Sequence, residues 1–550
     1  MRGPCRRHFR LLSAVGCCLI TLSTLATAQA SRTTTLDFAT GSQFEDYLRV
    51  LQISGLEPLR PWSIRGFAAR TIADFAMADS TGPWQLRKNF RHAAIEPASI
   101  GTGAIFNSAY PYGANDGPVW AGRGLTLVAS AGIEGHAGPL SFTISPKAFR
   151  AGNSSFELLA NGKSGALAFN NGQFPFQVDL PQRFGNGAYS RVDPDASTVR
   201  IDTRFLSLGV STANEWIGPT TEYPFLLGDN APGFPHIFVG TGDSWNLGFA
   251  RMHSRVMWGK LYQSDYSSVT GPTRFVSNVD PGTVRLMAAA EVVLVPRGVP
   301  GLELGFGRFL HVPYPIGGPD QGFWKKPFKV FFLKNEYARG DTLGRDNQLA
   351  SAFFRWVFPR SGFELYGERG YEDQFYDLRE FIYDPDHDRT YSLGFQKTFN
   401  KNASRLDVLK FEFINYQVST LLRLRPGEGS IYLHGELRQG HTNRGQLLGA
   451  SAGVNAAAAS VIEWSRYSAA GRTSWFLRRI VRAEAGDFLT TGIVNSRASD
   501  VVIAAEMERM RFGRYVDYGV KAGIMQDFNR NFSKDVANLN LQLTARLHPQ

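Results

Sequence analysis

Residues 538–547 read NLNLQLTARL and alternate polar and apolar side chains without a break. Leucine or alanine stands at every second position from Leu539 to Leu547, and the positions between them hold polar residues. Successive side chains of a β-strand point to opposite faces, whereas an amphipathic helix repeats every 3.6 residues. The stretch therefore predicts a strand with one apolar face and one polar face.

The same alternation replaces any helical period from residue 104 onward. It is clearest at 302–307, 363–366 and 409–413, where leucine and phenylalanine alternate with glutamate, lysine, glycine and tyrosine. A water-soluble sandwich would show the same alternation with its apolar faces packed inward. However, these strand signals continue from residue 104 to residue 550 without a domain-boundary linker. A stretch of that length is unusual for a sandwich and ordinary for a large membrane barrel.

Composition favours the membrane barrel. Aromatic residues make up 13% of the chain and there are 57 glycines. After the first thirty residues, no apolar run is long enough for a membrane helix. The polar faces carry charged side chains, as expected for strands that line a water-filled lumen. Aromatic residues cluster near the strand ends, as expected for the aromatic girdles at the two membrane interfaces. The predicted girdle residues are Phe353, Phe354, Trp356, Phe358, Trp475 and Phe476. We therefore predict a mainly β protein, a large transmembrane antiparallel β-barrel over residues 104–550.

The first thirty residues are typical of a secretory signal peptide. Four arginines precede a mostly apolar run over residues 11–26, and small-residue cleavage sites end at Ala28 and Ala30. All three cysteines (Cys5, Cys17 and Cys18) lie inside this segment, so the mature chain would form no disulfide. We expect residues 1–30 to be removed on export and the mature protein to reside in the outer membrane of a Gram-negative cell.

The formal net charge is +11, and basic and acidic residues are interspersed along the chain. This distribution argues against a nucleic-acid-binding arm. It fits a protein surrounded by the phosphates of outer-membrane lipid and lipopolysaccharide, or one that contacts an acidic polysaccharide.

Residues 31–103 predict a small periplasmic helical segment. Ser42 and Glu45 form a capping box, apolar residues follow at helical spacing, and Gly55 marks the helix end. A second helical stripe follows Ser63, and a short basic helix is predicted from Pro83. These helices are too few to bury a core of their own, so we expect them to pack against one mouth of the barrel.

The stretch 214–239, NEWIGPTTEYPFLLGDNAPGFPHIFV, differs from the strands around it. Its four prolines exclude a helix or a central strand across it. Its aromatic residues are too many for a floppy linker. We expect a long, ordered loop that packs against the barrel.

The chain resembles the Wzi family, outer-membrane β-barrels that take part in attaching capsular polysaccharide to the cell surface. The matching features are the paired N-terminal helices, residues 106–124, the stretches NEWIGP (214–219) and NAPGFP (230–235), and HTNRGQLLG (441–449). The resemblance implies a barrel of about 18 strands with a periplasmic helical bundle, a lectin-like role and no catalytic activity. The chain departs from this pattern in showing no obvious additional helix that would plug the lumen.

Sugar binding needs aromatic faces for the C–H side of a pyranose, together with carboxylate, amide and guanidinium groups for its hydroxyls. Trp120 and Trp216 each stand among such groups, and Arg123 and Arg444 would pair the carboxylates of acidic sugars. Alternatively, the tryptophans belong to girdles or loop cores. The candidate polysaccharide-binding residues are Asn115, Asp116, Trp120, Arg123, Asn214, Glu215, Trp216, Tyr223 and Arg444.

Parts of the sequence also fit three alternative interpretations. A porin-type channel for small solutes is one, since any wide barrel could conduct. A serine hydrolase is another, because Ser244 follows Gly242-Asp243 and both Gly113-x-Asn115 and Asp384-x-x-His387 occur, although in the wrong order. A calcium site in 384–388 is the third, and a solvated acidic loop explains those residues better. We expect no cofactor, no metal and no nucleic acid; the expected partners are exported polysaccharide, membrane lipid and the polysaccharide export machinery.

Overall fold

The computed structural model describes residues 39–66, 93–269, 284–314, 321–329, 346–372, 377–383, 389–402, 404–416, 431–435, 437–484, 499–513 and 515–547, with five isolated positions between these ranges. The predicted signal peptide, the short helix predicted from Pro83 and most of the helical stripe after Ser63 lie outside the described residues.

Antiparallel pairings join 23 strand segments into one sheet across the described ranges. Five segments continue a neighbouring segment along one interrupted strand, so these segments form 18 strands. In chain order they are β1 (Ala93–Pro97 and Ile100–Asn107), β2 (Gly124–Ser130 and Ile133–Ala137), β3 (Leu140–Ile144 and Lys147–Ala151), β4 (Tyr189–Asp193 and Thr198–Asp202), β5 (Leu206–Ser211), β6 (His236–Thr241 and Trp245–Asn246), β7 (Ala250–Tyr262), β8 (Val284–Pro296), β9 (Leu302–Pro313), β10 (Asn347–Phe358), β11 (Phe363–Glu372), β12 (Arg389–Asn402), β13 (Arg405–Asn415), β14 (Ala458–Ser468), β15 (Gly471–Glu484), β16 (Ser499–Arg511), β17 (Val516–Arg530) and β18 (Lys534–Leu547).

The sheet closes on itself. Each strand pairs with the next along the chain, and β1 pairs with β18 from Ile100 opposite Leu547 to Asn107 opposite Asn540. Closure removes the unpaired edges that an open sheet would expose, which a lipid environment demands. The protein is therefore a large transmembrane antiparallel β-barrel, and the predicted number of strands is confirmed.

The alternating faces are oriented as the sequence predicts. Along β18, Leu539 and Leu543 are 39% and 46% exposed, whereas Asn538 and Asn540 between and beside them are buried. The same holds in β9, where Leu304 is exposed and its neighbour Glu303 is buried. Apolar side chains thus face outward into lipid, and the polar ones line an enclosed interior.

Two predicted girdle residues are corrected. Phe353 and Phe476 point into the barrel and belong to its main apolar core. Each has an outward-facing neighbour, Phe354 or Trp475, and the period of two sends adjacent side chains to opposite faces. Two aromatic residues that are adjacent in a strand therefore cannot both belong to the girdle on the outer surface.

The two ends of the barrel differ in the length of their connections. Turns from even-numbered to odd-numbered strands are short, as between β2 and β3 at 138–139. The long loops all lead from odd-numbered to even-numbered strands, for example 152–188 and 416–457. Since such barrels have short periplasmic turns and longer outer loops, the long-loop end faces outward.

One helix, α1 (Gln43–Ser54), occupies the lumen at the short-turn end. Ser42 Oγ accepts a hydrogen bond from Glu45 N at 3.2 Å, and Gly55 ends the helix at a φ of 76°. Its residues pack against inward-facing side chains of β13 and β14, and Arg49 Nε donates to Glu364 Oε2 at 3.0 Å. The predicted helix is therefore present, but it lies inside the barrel.

The start of the barrel also differs from the prediction. The sequence predicted strands from residue 104, whereas β1 begins at Ala93. Pro97 and the break after it interrupt the alternation, so the pattern becomes regular only in the second half of β1.

Short helices lie at Gly165–Phe169, Gln321–Lys325, Lys326–Phe328 and Leu378–Tyr383. Among the described residues, every helix is too short or too polar to cross a membrane.

The loop between β5 and β6, residues 212–235, folds into the lumen from the outward end; we call it the plug loop. Phe225 and Leu226 are fully buried in the main core, which also includes inward-facing residues of β7 to β10. Ile217 forms a β-bridge with Ile64, in the segment that follows α1. The two inserts therefore meet inside the barrel and occupy its lumen, where the described residues include no large helical plug.

Candidate functional site

The outward end of the barrel contains two adjoining cavities. The outer one has a volume of about 320 Å³ and lies among the long loops, and the inner one, of about 230 Å³, lies deeper against β15 to β18. Eight residues line both: Pro111, Tyr112, Gly113, Ala114, Asp116, Ser451, Ala452 and Arg482. The segment 111–116 therefore forms the partition between the two cavities.

This segment belongs to the loop between β1 and β2, residues 108–123, which Asn107 holds in place. The buried Asn107 Nδ2 donates to the carbonyl oxygens of Tyr112 and Ala121 at 3.1 and 3.0 Å. Asn538 Oδ1 accepts from Ala109 N at 2.8 Å. Side-chain amides of β1 and β18 thus form hydrogen bonds with loop backbone groups that no strand pairs.

Asp116 lies on the partition and lines both cavities. Burial raises the pKa of the Asp116 carboxyl to about 6, against the opposing effect of Lys521 and Lys147. Its Oδ2 also lies close to Gly113, where an added Cβ would stand 2.7 Å away. A carboxylate held in this way can accept hydrogen bonds from hydroxyl groups in either cavity.

Trp120 forms part of the wall of the outer cavity. Its ring contacts the ring of Phe184 edge-on, with centroids 5.0 Å apart, and the ring of Tyr189 at 6.2 Å. Trp120 is half-buried, whereas Phe184 behind it is 4% exposed. The packing fixes the indole plane and leaves part of it at the cavity, as a sugar-stacking residue requires.

Amide side chains surround the outer cavity, and none of them is among the predicted binding residues. Several of these amides belong to the loop between β3 and β4, a segment that contains none of the motifs on which the family resemblance rests. The lining amides are Asn171, Gln173, Gln182, Asn230, Gln446 and Asn531. Most of these amides also bond loop backbone, as Gln182 does to Leu159 N and O. Gln173 Nε2 has no hydrogen-bond partner among the described residues, so it can donate to a hydroxyl group without adding net charge to the site.

The inner cavity is lined by paired charges. Arg478 donates to Glu222 at 2.7 Å and to Glu506 at 2.8 Å, and Lys521 lies 3.2 Å from Glu506. Burial opposes ionisation of Glu222, but Arg478 and Lys410 hold the pKa of its carboxyl well below the ordinary value. Glu222 belongs to the plug loop, so this network joins the plug loop to the cavity wall.

The predicted residues divide into groups. Asn115, Asp116 and Trp120 lie together in the loop between β1 and β2, and Asp116 and Trp120 line the outer cavity. Asn115 Nδ2 donates to Glu222 O at 3.0 Å, and Asn115 has a left-handed backbone at a φ of 55°. Tyr223 lines the inner cavity but is 2% exposed.

Trp216, Glu215 and Asn214 lie in the interior of the plug loop, away from both cavities. Trp216 is 2% exposed and its Nε1 donates to Thr220 O at 3.0 Å. Glu215 contacts Arg255 Nη1 at 2.6 Å and His236 Nε2 at 3.2 Å. Asn214 Nδ2 donates to carbonyl oxygens of the same loop. The polar atoms of these three residues thus form hydrogen bonds and ion pairs inside the protein. Their contact with sugar stays a prediction.

Arg123 and Arg444 lie apart from the cavity lining. Arg123 Nε donates to Ser108 O at 3.0 Å and its Nη1 donates to Ser155 O, so it joins two outer loops. Arg444 lies over the ring of Tyr262, 4.8 Å from its centroid. The pairing of these two arginines with acidic sugars stays a prediction.

The described residues of the hydrolase alternative do not lie together. Ser244 lies between the two segments of β6, close to a short turn, whereas Asn115 lies in a long loop at the opposite end of the barrel. Asp384 and His387, which also belong to the predicted calcium loop 384–388, lie outside the described residues. Among the residues that are described, no group of three or more acidic, histidine or cysteine side chains could hold a metal ion.

No family model and no curated protein sequence matches this chain. Among solved structures, the chain is similar to Wzi of Escherichia coli, an outer-membrane protein involved in group 1 capsule assembly and described as a carbohydrate-binding β-barrel. The TM-score is 0.59 at 11% sequence identity, over 92% of this chain and 98% of that chain.

Porins give weaker matches. OpdQ of Pseudomonas aeruginosa has a TM-score of 0.39 at 8% identity, over 82% of this chain and 97% of its own. A BenF-like porin from Pseudomonas fluorescens has a TM-score of 0.39 at 9% identity, over 83% and 99%. The likeness to Wzi, extending over nearly the whole length of both chains, confirms the predicted resemblance at the level of the fold: this chain folds as an outer-membrane β-barrel of the Wzi type.

Proposed function

We propose that this protein binds exported capsular or extracellular polysaccharide at the outward end of the barrel and helps to attach and organise it at the cell surface, without catalysis. The observation that carries the proposal is the pair of cavities between the outer loops, where Asp116, part of the Trp120 ring and a set of amides converge. This combination of an apolar face with neutral and anionic acceptors matches a pyranose.

The packed lumen supports a binding role over the porin-type alternative. Within the described residues, α1 packs at the short-turn end and the plug loop packs in the middle of the lumen. Side chains packed in this way favour a cavity that holds a segment of polymer over a channel that passes solutes.

The binding residues we propose are Asp116 and Trp120 in direct contact with sugar, with Asn115 and Tyr223 positioning the partition and its floor. Arg123 and Arg444, on the outer loops, would contact carboxylates of a longer polymer. For Asn214, Glu215 and Trp216 we propose a supporting role, because they hold the plug loop on which the inner cavity rests.

The proposed partners are the polysaccharide, the surrounding outer-membrane lipid and lipopolysaccharide, and the export machinery that delivers the polymer. The signal peptide over residues 1–30 would direct the chain to the outer membrane. Deleting the gene in the source organism should release surface polysaccharide into the medium, and complementation with the wild-type chain should restore retention. Unchanged retention in the deletion strain would refute the role.

A further inference from the structure

Residues 321–329 lie on the outside of the barrel, near its outward end; we call them the external flap. Phe323 is 5% exposed and packs with Leu286 and Ala288 of β8. The neighbours of Leu286 point into the lumen: Arg285 donates to Gly440 O at 2.6 Å, and Met287 belongs to the main core. Leu286 therefore faces outward, and the flap covers it from the lipid side.

A buried arginine on the same outer face helps to hold the flap. Arg308 of β9 is 4% exposed and lies between Gly307 and the inward-facing Phe309. Its guanidinium donates to Lys329 O and to Gln348 Oε1. The flap is thus attached through both apolar contact and hydrogen bonds.

The surface that the flap presents is both aromatic and basic. Trp324 and Phe328 are 43% and 70% exposed, and Trp324 lies 5.7 Å from the outward-facing Trp258. Lys325 is exposed, and Lys260 on β7 is exposed with its Nζ 4.9 Å from the centroid of Tyr314. Aromatic rings with flanking lysines are typical of the boundary between hydrocarbon and headgroups.

Lysines of the flap differ in whether a carboxylate holds them. Lys326 and Lys329 share the carboxylate of Asp346 at 2.8 and 2.9 Å. Lys260 and Lys325 lie exposed beside the aromatic rings of the flap. Two copies of the chain that met through the same patch would repel one another, so the patch suits an anionic occupant better than a symmetric dimer.

We propose that the external flap is a docking site for a phosphorylated glycolipid of the outer leaflet. Its phosphates would lie against Lys260 and Lys325, and its acyl chains along Trp324, Phe328 and the outward face of β8. This site is on the lipid side of the wall and is separate from the cavities that we assign to polysaccharide.

The test uses the full-length mature barrel in phosphatidylcholine nanodiscs, titrated with diphosphoryl lipid A and, separately, with the same lipid after removal of its phosphates. Bound lipid per barrel is counted by native mass spectrometry. We expect the diphosphoryl lipid to bind more tightly. The double variant Lys260→Ala/Lys325→Ala should bind it more weakly, by roughly fivefold for each lysine removed.

Arg479→Ala is the matched control. Arg479 is an exposed cation on β15, and its neighbour Arg478 points into the lumen, so Arg479 faces the lipid away from the flap. This variant should bind as the wild type does. The proposal is overturned if the two variants lose affinity equally, if phosphate removal has no effect, or if the flap variant instead changes the number of barrels per particle. Polysaccharide binding should stay unchanged in both variants, which separates this test from that of the proposed function.

Discussion

The guanidinium of Arg65 lies over the ring of Trp216, 4.4 Å from its centroid, and Arg65 Nη2 donates to Thr220 O at 2.7 Å. Each of these two side chains is 2% exposed. Arg65 reaches this point from the short-turn end, and Trp216 reaches it from the outward end. The two inserts therefore bury one another inside the lumen, and the plug loop also supplies Glu222 and Tyr223 to the lining of the inner cavity.

The tip of the plug loop is held by one carboxylate of the barrel wall. Glu412 on β13 accepts from the backbone N–H groups of Thr221, Glu222 and Tyr223 at 2.7, 2.9 and 2.8 Å. Glu412→Ala leaves three amides without acceptors, at a cost of about 1–3 kcal/mol each if they stay buried. We expect the plug loop to release and the variant to conduct in planar bilayers, where the wild type is nearly silent.

Asp527→Asn is the control for that measurement. Asp527 also lies on the inner wall, but it pairs with the barrel arginines Arg482 and Arg530, each at 2.7 Å. It should remain as silent as the wild type. A folded Glu412→Ala barrel that conducts no more than Asp527→Asn would show that the plug loop does not depend on this carboxylate.

Polysaccharide binding should depend on pH through Asp116. Because burial raises the pKa of this carboxyl to about 6, the group is protonated below that pH and ionised above it. The ionised form is the stronger acceptor for sugar hydroxyls. Affinity should therefore be full near pH 8 and fall as the pH drops through about 6. Asp116→Asn should bind more weakly at pH 8 and show a flat profile; a wild-type profile without this inflection contradicts the contact.

The ion pair of Glu215 with Arg255 should contribute to stability over a defined pH range. Burial opposes ionisation, but Arg255 and His236 lower the pKa of Glu215 to about 2, below its ordinary value of 4.5. The stabilisation is therefore present above pH 4.5 and is lost as the pH falls through about 2. Arg255→Ala leaves a buried carboxylate without its cation and should cost about 3–5 kcal/mol near neutral pH.

Urea unfolding in lipid vesicles, followed by tryptophan fluorescence, measures that cost. The double variant Glu215→Gln/Arg255→Met removes both charges and keeps most of the volume, so it should be less destabilised than Arg255→Ala. The reverse order would mean that the packing of Arg255 against Phe238, rather than the ion pair, carries the effect.

The barrel could be predicted from sequence because each strand repeats one local rule. The outward direction of Leu539 and Leu304 follows from the two-residue period of a strand and from the lipid outside the barrel. In the structure both leucines are exposed and their polar neighbours are buried. The capping box at Ser42 and Glu45 is equally local, and its helix is found where predicted. The start of β1 at Ala93 cannot be predicted from the alternation, because Pro97 breaks the local pattern.

The position of the inserts could not be predicted in the same way. Trp216 and Trp120 stand in similar sequence surroundings, yet Trp216 is enclosed by Arg65 from a distant segment while Trp120 keeps part of its ring at a cavity. What separates them is a contact 151 positions apart along the chain, between Arg65 and Trp216. Likewise, the amides of the loop between β3 and β4 line the outer cavity only because that loop folds back over Trp120.

The most direct measurement is the affinity of the purified, immobilised barrel for polysaccharide from the source organism, compared between wild type and Trp120→Ala. Trp120→Phe retains an aromatic face, and Trp475→Ala, on the outer wall, serves as the control for losing a tryptophan. We predict that Trp120→Ala binds roughly tenfold more weakly, that Trp120→Phe falls between it and wild type, and that Trp475→Ala is unchanged. Equal affinity of wild type and a folded Trp120→Ala would contradict the assignment of the outer cavity as the polysaccharide site.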